Sequence, residues 1–396
     1  DNNDAQNDNN YNANRTATIT VTDHNFDARK VIVQTTANNI LGKSVPVENY
    51  ATYLKNSANW TYYAADGSVV DANADNIYKQ AAKITYSEDA RYTFNISCKD
   101  LAKNASASYA ADKFVVDKTK SENVTITYST PVLDKVIETL TFGFYKAEVT
   151  VTVTADDITS GVDYFVITYT KDDTSSDINT DTYTTENLVP VANGKTFTAT
   201  HVIPANAKGT ISVEVVDKAG NDTSKADEKV IVTDNVSPAI DVSYTAADSN
   251  EIIFLDGGKN EVSDFKSAAS AISNGSIKAA ITVNEANFFE GKDADGTIIN
   301  KVLIKVTKTN DDGTVVVTEY LPSGALASNS KFEVAEIVWS VDGDIHTAEI
   351  VFEDSADYVL SVEYVDYSDN DADITSADKD AVTKSYTSKP ITVDKN

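Results

Sequence analysis

Apolar and polar residues alternate along most of the chain. Ile19 and Val21 alternate with threonines in TATITVTDHNF (16–26). Val151 and Val153 do the same in EVTVTVTADDITSG (148–161), and Ile281 and Val283 in KAAITVNEANF (278–288). A period of two places every second side chain on one face, which predicts strands with one side on a core. Asn, Asp, Ser and Gly fill the gaps, as turns require. One stretch departs from this pattern: KSAASAISNGSIKAA (266–280) predicts a short helix capped by Asp264.

The strand pattern repeats. AKITYSEDARYTFNISCKD (82–100) aligns without a gap on AEIVFEDSADYVLSVEYVD (348–366), so that Ile84 meets Ile350, Tyr86 meets Phe352 and Tyr92 meets Tyr358. GTISVEVVDKAGN (209–221) is a shorter third copy. Each copy leads through a polar loop to a run ending in Val-Asp or Thr-Asp: FVVDK (114–118), VIVTD (230–234) and ITVDK (391–395). The expected fold class is all-β, with tandem immunoglobulin-like β-sandwich domains over 1–116, 117–234 and 235–396. Each last strand runs almost directly into the next first strand, which predicts an elongated rod. Residues 1–14 hold no counterpart of VTITYS (124–129) or IDVSYT (240–245), so the first domain is expected to lack its first strand.

The run VVDKAGN (215–221), VIVTD (230–234) and Pro238, with ADDITSGVDYF (155–165) before it, resembles the bacterial Ig-like repeats of Gram-positive, clostridial-type cell-surface proteins. ITVTDHNF (19–26) is similar to the corresponding segment of such repeats. The resemblance implies an extracellular location on a bacterial surface and a role as a stalk or adhesin segment. A separate echo is the D-x-A-x-Y spacing of Asp354, Ala356 and Tyr358, matched by Glu88, Ala90 and Tyr92. In immunoglobulin domains a tyrosine there bonds back across a corner between sheets. The middle repeat has Gly209 at that position, so its corner must be built differently.

Composition narrows the function. With 61 acidic and 33 basic residues the net charge is −28, which repels nucleic acid and anionic membranes. No apolar run is long enough for a membrane helix. The single cysteine, Cys98, allows no internal disulfide and aligns with inward positions, as a small buried apolar residue would. Methionine is absent, so the chain reads as a fragment or processed form whose signal and anchor lie elsewhere. The three histidines fall at non-equivalent places, and no nucleophile elbow, zinc-binding helix or phosphate loop is present. The expectation is therefore a non-enzymatic monomer that presents a surface to a host protein or glycoprotein. The other reading is a carbohydrate-binding or spacer module of a large secreted carbohydrate-active enzyme.

Two candidate sites follow. DYSDNDAD (366–373) crowds acidic side chains into one loop, which makes Asp366, Asp369 and Asp371 candidate calcium ligands or else a solvated turn. Residues 1–116 carry 13 acidic and 11 basic side chains, a net of −2 against −26 for the remainder. The same segment holds Tyr50, Tyr53, Trp60, Tyr62 and Tyr63 close together. Such aromatics dominate binding hot spots and equally well build cores, so they are a candidate ligand face in a charge-poor reader domain.

Overall fold

The computed structural model describes residues 5–395 except 7, 111–112, 130–141, 172–179, 186–187, 189, 249, 289–290, 293–297, 300, 330 and 376–383. Almost all regular structure is β, as the alternation requires. The chain forms two compact units: Asp1–Ser129, Thr150–His201 and Thr210–Asp227 make the first, and Thr130–Val149, Val202–Gly209 and Glu228–Asn396 the second.

In the first unit, Arg15–Thr22 lies antiparallel to Lys79–Tyr86, with Ile19 opposite Ala82 and Ala17 opposite Ile84. Thr61–Tyr63 and Val69–Val70 complete that sheet. The facing sheet runs Asn10–Tyr11, Phe114–Val116, Ala90–Ser97 and Ile32–Asn38. Between them lies a largely aromatic core. The Tyr86 ring contacts Tyr50 at 5.2 Å, Tyr92 at 5.1 Å and Phe114 at 4.8 Å between centroids. Such pairs add roughly 0.5–1.5 kcal/mol each beyond burial. Further along this unit, Glu122–Tyr128 pairs antiparallel with Val149–Asp156, and Val162–Lys171 with Thr180–Thr185.

In the second unit, Ala239–Ala246 and Ile345–Phe352 flank Ile277–Asn284, with Val242 opposite Ile281 and Ala279 opposite Ile350. The facing sheet centres on Ala356–Tyr364 beside Val302–Thr309. Their inward residues form one core that includes Ile281, Ile350, Leu360 and Val362. Sheets packed face to face over alternating inward residues make the immunoglobulin-like sandwich.

The corner hydroxyls are where the spacing puts them: Tyr92 donates to the Glu88 carbonyl at 2.8 Å and Tyr358 to the Asp354 carbonyl at 3.0 Å. In the middle repeat Thr233 does this work. Its hydroxyl donates to the Pro204 carbonyl at 2.7 Å and accepts from Ala207 N–H at 2.9 Å. Among the described residues Arg15–Thr22 is an edge strand, whereas its counterparts Val149–Asp156 and Ile277–Asn284 are each covered by a preceding strand. The helix expected over 266–280 is absent. Residues 265–267 make a turn, Asp264 accepts from Ser267 N–H at 2.8 Å, and Ser270–Ser273 is a strand parallel to Ile391–Val393. Alternation at Ala271 and Ser273, both buried, prevails there over the helical propensity of alanine. No helix among the described residues is long and apolar enough to cross a membrane.

Candidate metal centres

Strand ends bring acidic side chains together twice. In the first unit, Asp117 follows Phe114–Val116, Asp157 follows Val149–Asp156, and Asp217 closes Ala207–Asp217. Their carboxylate oxygens lie within 4.8 Å of one another. In the second unit the same distance gathers Asp234 after Asp222–Thr233, Glu285 after Ile277–Asn284, and Asp366 two residues past Ala356–Tyr364. All six are buried, none more than 5% exposed.

The two sets are the same construction. Each takes one acid from the Val-Asp or Thr-Asp that ends one repeat and two from the next. In both, an asparagine four residues past the third acid ties the set together. Asn221 Nδ2 donates to Asp217 Oδ2 at 2.8 Å and to the Asp117 carbonyl at 3.0 Å. Asn370 Nδ2 donates to Asp366 Oδ2 at 2.9 Å and to the Asp234 carbonyl at 2.9 Å. The backbone N–H groups of Asn221 and Asn370 hold the other carboxylate oxygens at 2.9 and 2.8 Å.

The middle acid is cradled by its own loop. Asp157 Oδ1 accepts from Thr159 N–H at 3.0 Å and Gly161 N–H at 2.8 Å, while Ser160 N–H reaches Asp117 Oδ2 at 2.9 Å. Gly161 has φ +88°, and a Cβ there would meet Phe197 at 3.0 Å, so the turn needs glycine. Glu285 Oε1 accepts from Asn287 N–H at 2.7 Å, and Asn287 Nδ2 donates to Asp234 Oδ2 at 2.8 Å.

Crowding buried carboxylates disfavours their charged forms. Burial first, then the Asp157 charge, pushes Asp117 up to about 7. Burial raises Asp217 to about 6 and Glu285 to about 8, and it raises Asp157 and Asp366 as well. Arg91 lies behind the first set, its guanidinium held by the Thr159 and Ser160 carbonyls at 2.9 and 3.0 Å. Three buried carboxylates need either protons or a cation. The donors are all oxygen, which suits a hard ion such as calcium. Asp117 and Asp157 also line a cavity of about 270 Å³ with Lys120 and Lys195. That is below the size of ordinary small-molecule sites.

The first repeat carries the same scaffold with two acids. Asn104 holds both oxygens of Asp100 at 2.7 Å, and Asn25 N–H donates to Asp23 Oδ1 at 2.6 Å. Gln80 Nε2 donates to the Asp23 carbonyl at 2.9 Å, just as His346 Nε2 sits 3.2 Å from the Glu285 carbonyl. Among the described residues no third carboxylate joins Asp23 and Asp100.

Of the acids expected to bind calcium, Asp366 belongs to the buried set. Asp369 and Asp371 are exposed and outside it: the turn closed by Asp369 N–H on the Asp366 carbonyl at 3.2 Å, with Asp369 at φ +65°, leaves both on the solvent side while Asp366 is buried. The aromatic cluster expected as a ligand face is largely core. Tyr50 and Trp60 are buried, the Trp60 indole donating to the Leu54 carbonyl at 2.8 Å. Tyr53 and Tyr62 are half-buried against the same core, and Tyr63 packs under Lys79. Burial withdraws Tyr50 and Trp60 from contact with any partner. Trp60 and Trp339 take corresponding places, packing on Phe26 and Phe288 at 4.6 and 5.0 Å. Five of the six clustered acids escape a reading of the 366–373 loop alone. The aligned Val-Asp and Thr-Asp endings and the D-x-x-x-N spacing of Asp100, Asp217 and Asp366 are the signals that mark the construction.

No family model matches the chain, and no curated protein matches it. Among solved structures it is similar to BcpA, the major pilin subunit of Bacillus cereus, at 11% identity over 70% of this chain and 93% of that one, with a TM-score of 0.20. It is also similar to a membrane anchored protein from Corynebacterium diphtheriae, at 13% identity over 98% of this chain and 90% of that one, with a TM-score of 0.18. Superpositions this loose carry no functional argument.

Proposed function

We propose that the chain is a non-catalytic, load-bearing segment of a bacterial cell-surface protein, a stalk or adhesin arm in which acidic clusters tie successive repeats together. One observation carries this reading: the carboxylate–asparagine construction occurs twice, at equivalent strand ends, each time joining the end of one repeat to the loops of the next. A catalytic centre has no reason to recur at every junction, whereas a structural fastening does. The burial of all six acids also argues against sugar hydrolysis by paired carboxylates, since that chemistry needs both groups open to substrate. The repulsive net charge of −28 suits a segment that stays hydrated and unassociated outside a cell.

The test is to screen the full chain against glycan and host-glycoprotein arrays and to pull it by its ends in a force spectrometer. The stalk reading expects no saturable binding and discrete, high-force unfolding steps. Saturable glycan binding would favour a carbohydrate-binding module instead. Yielding at low force without discrete steps would remove the load-bearing role.

A further inference from the structure

We infer that Asp234, Glu285 and Asp366, with the hydroxyl of Tyr364, form a calcium site in the second unit. This rests on the structural reading of the repeats and names the ligand of the fastening. The carboxylates supply the charge, and two neighbouring hydroxyls supply the independent sign of a missing ligand. Tyr364 is 2% exposed and its Oη has no hydrogen-bond partner, although it lies in the field of Glu285, Asp366 and Asp234 together. A tyrosine hydroxyl buried beside three carboxylates should donate to one of them. Ser368 repeats the anomaly: it is 1% exposed, its backbone N–H serves Asp366, and its Oγ has no partner. An orphaned tyrosine hydroxyl beside three acids, with a second unpartnered hydroxyl two residues past Asp366, is what a cation bound there would satisfy.

The donor chemistry selects the ion. Carboxylate and hydroxyl oxygens are hard ligands, and among the described residues no imidazole nitrogen joins the set: His346 Nε2 faces the Glu285 carbonyl, and its unpartnered Nδ1 is not one of the clustered atoms. Calcium accepts six to eight oxygens in irregular geometry. Magnesium keeps several of its waters in a strict octahedron, which a set this buried does not accommodate. Asn370 and Asn287 hold the acids in place without occupying all their lone pairs, so the site is positioned before the ion arrives.

The experiment uses the full chain, stripped with a chelator and titrated with calcium chloride by calorimetry, with hydrogen exchange measured in parallel. The expected result is saturable binding with loss of one site in Glu285→Gln and at least a fivefold weaker second-unit site in Tyr364→Phe, which removes only the orphaned oxygen. Magnesium chloride should bind at least tenfold more weakly. No calcium heat up to 10 mM, or identical isotherms for wild type and Glu285→Gln, overturns the site. Calcium that binds as described yet leaves hydrogen exchange around 277–288 and 356–374 unchanged would keep the site and sink the fastening role.

Discussion

Replacing Glu285 with glutamine changes one charge and almost no shape. The substituted side chain keeps an oxygen for Asn287 N–H, a bond that Glu285 accepts at 2.7 Å, and its amide can donate to Asp234, where Glu285 must hold a proton to do so. The sign of the effect should depend on calcium. Without the ion, each like-charged pair at 4.8 Å or less costs about 3 kcal/mol at an effective dielectric constant of 20. Protonation of Glu285, raised to about 8, relieves part of that cost. At pH 8.5 in chelator the variant should then be more stable locally by roughly 2 kcal/mol, and amides around the set should exchange about tenfold to thirtyfold more slowly than in wild type. With 10 mM calcium and a dissociation constant of about 0.1–1 mM, wild type gains roughly 1.4–2.7 kcal/mol from the ion. The variant loses most of that gain. Peptides covering 114–121 and 150–161 report the first-unit set and should respond to calcium alike in both proteins. Equal calcium protection of 277–288 in wild type and Glu285→Gln would refute the reasoning.

Stability in chelator should fall as pH rises from 5 to 8.5. The folded-state values of Asp217, Asp117 and Glu285, about 6, 7 and 8, lie above those of an unfolded chain, near 4. The folded chain therefore binds more protons in this window, and deprotonation disfavours it. Thermal melts across the range check this, and a melting temperature that climbs with pH would contradict it. Tyr358→Ala should cost about 3–5 kcal/mol in chemical denaturation, because the ring is buried, stacked on Phe352 at 4.7 Å and bonded to the Asp354 carbonyl. Tyr358→Phe should lose only about 1 kcal/mol; equal losses would mean that the ring's packing is not what stabilises the corner. Asp369→Ala and Asp371→Ala should leave calcium affinity within twofold in a titration, since both side chains face solvent.

Strand content, the alternating core faces and the tyrosine corners were legible in the sequence because each depends on residues a few positions apart. Ile84, Tyr86 and Tyr92 and their counterparts Ile350, Phe352 and Tyr358 are all buried, as their shared register requires. The acid sets were harder to read because each joins three strand ends more than 30 residues apart, and no local spacing announces such convergence. The dense loop 366–373 drew attention by its charge, yet only Asp366 enters a set. Its importance comes from burial and from Asn370, not from how many acids surround it. The aromatic run 50–63 stayed open between core and ligand face for the reverse reason. A short helix, Tyr50–Lys55, capped by Asn49 Oδ1 accepting from Thr52 N–H at 3.0 Å, turns Tyr50 and Leu54 inward together. Without that helix in view, the same tyrosines read equally well as a ligand face.

The most direct measurement is a crystal structure of the full chain grown in calcium, with anomalous differences collected at long wavelength. A peak is expected within each acid set, with oxygens of Asp117, Asp157 and Asp217, and of Asp234, Glu285 and Asp366, at about 2.3–2.6 Å from it. None is expected between Asp23 and Asp100, where a third carboxylate is missing among the described residues. Empty sets, with the Tyr364 hydroxyl donating to a protonated neighbour instead, would contradict the calcium fastening.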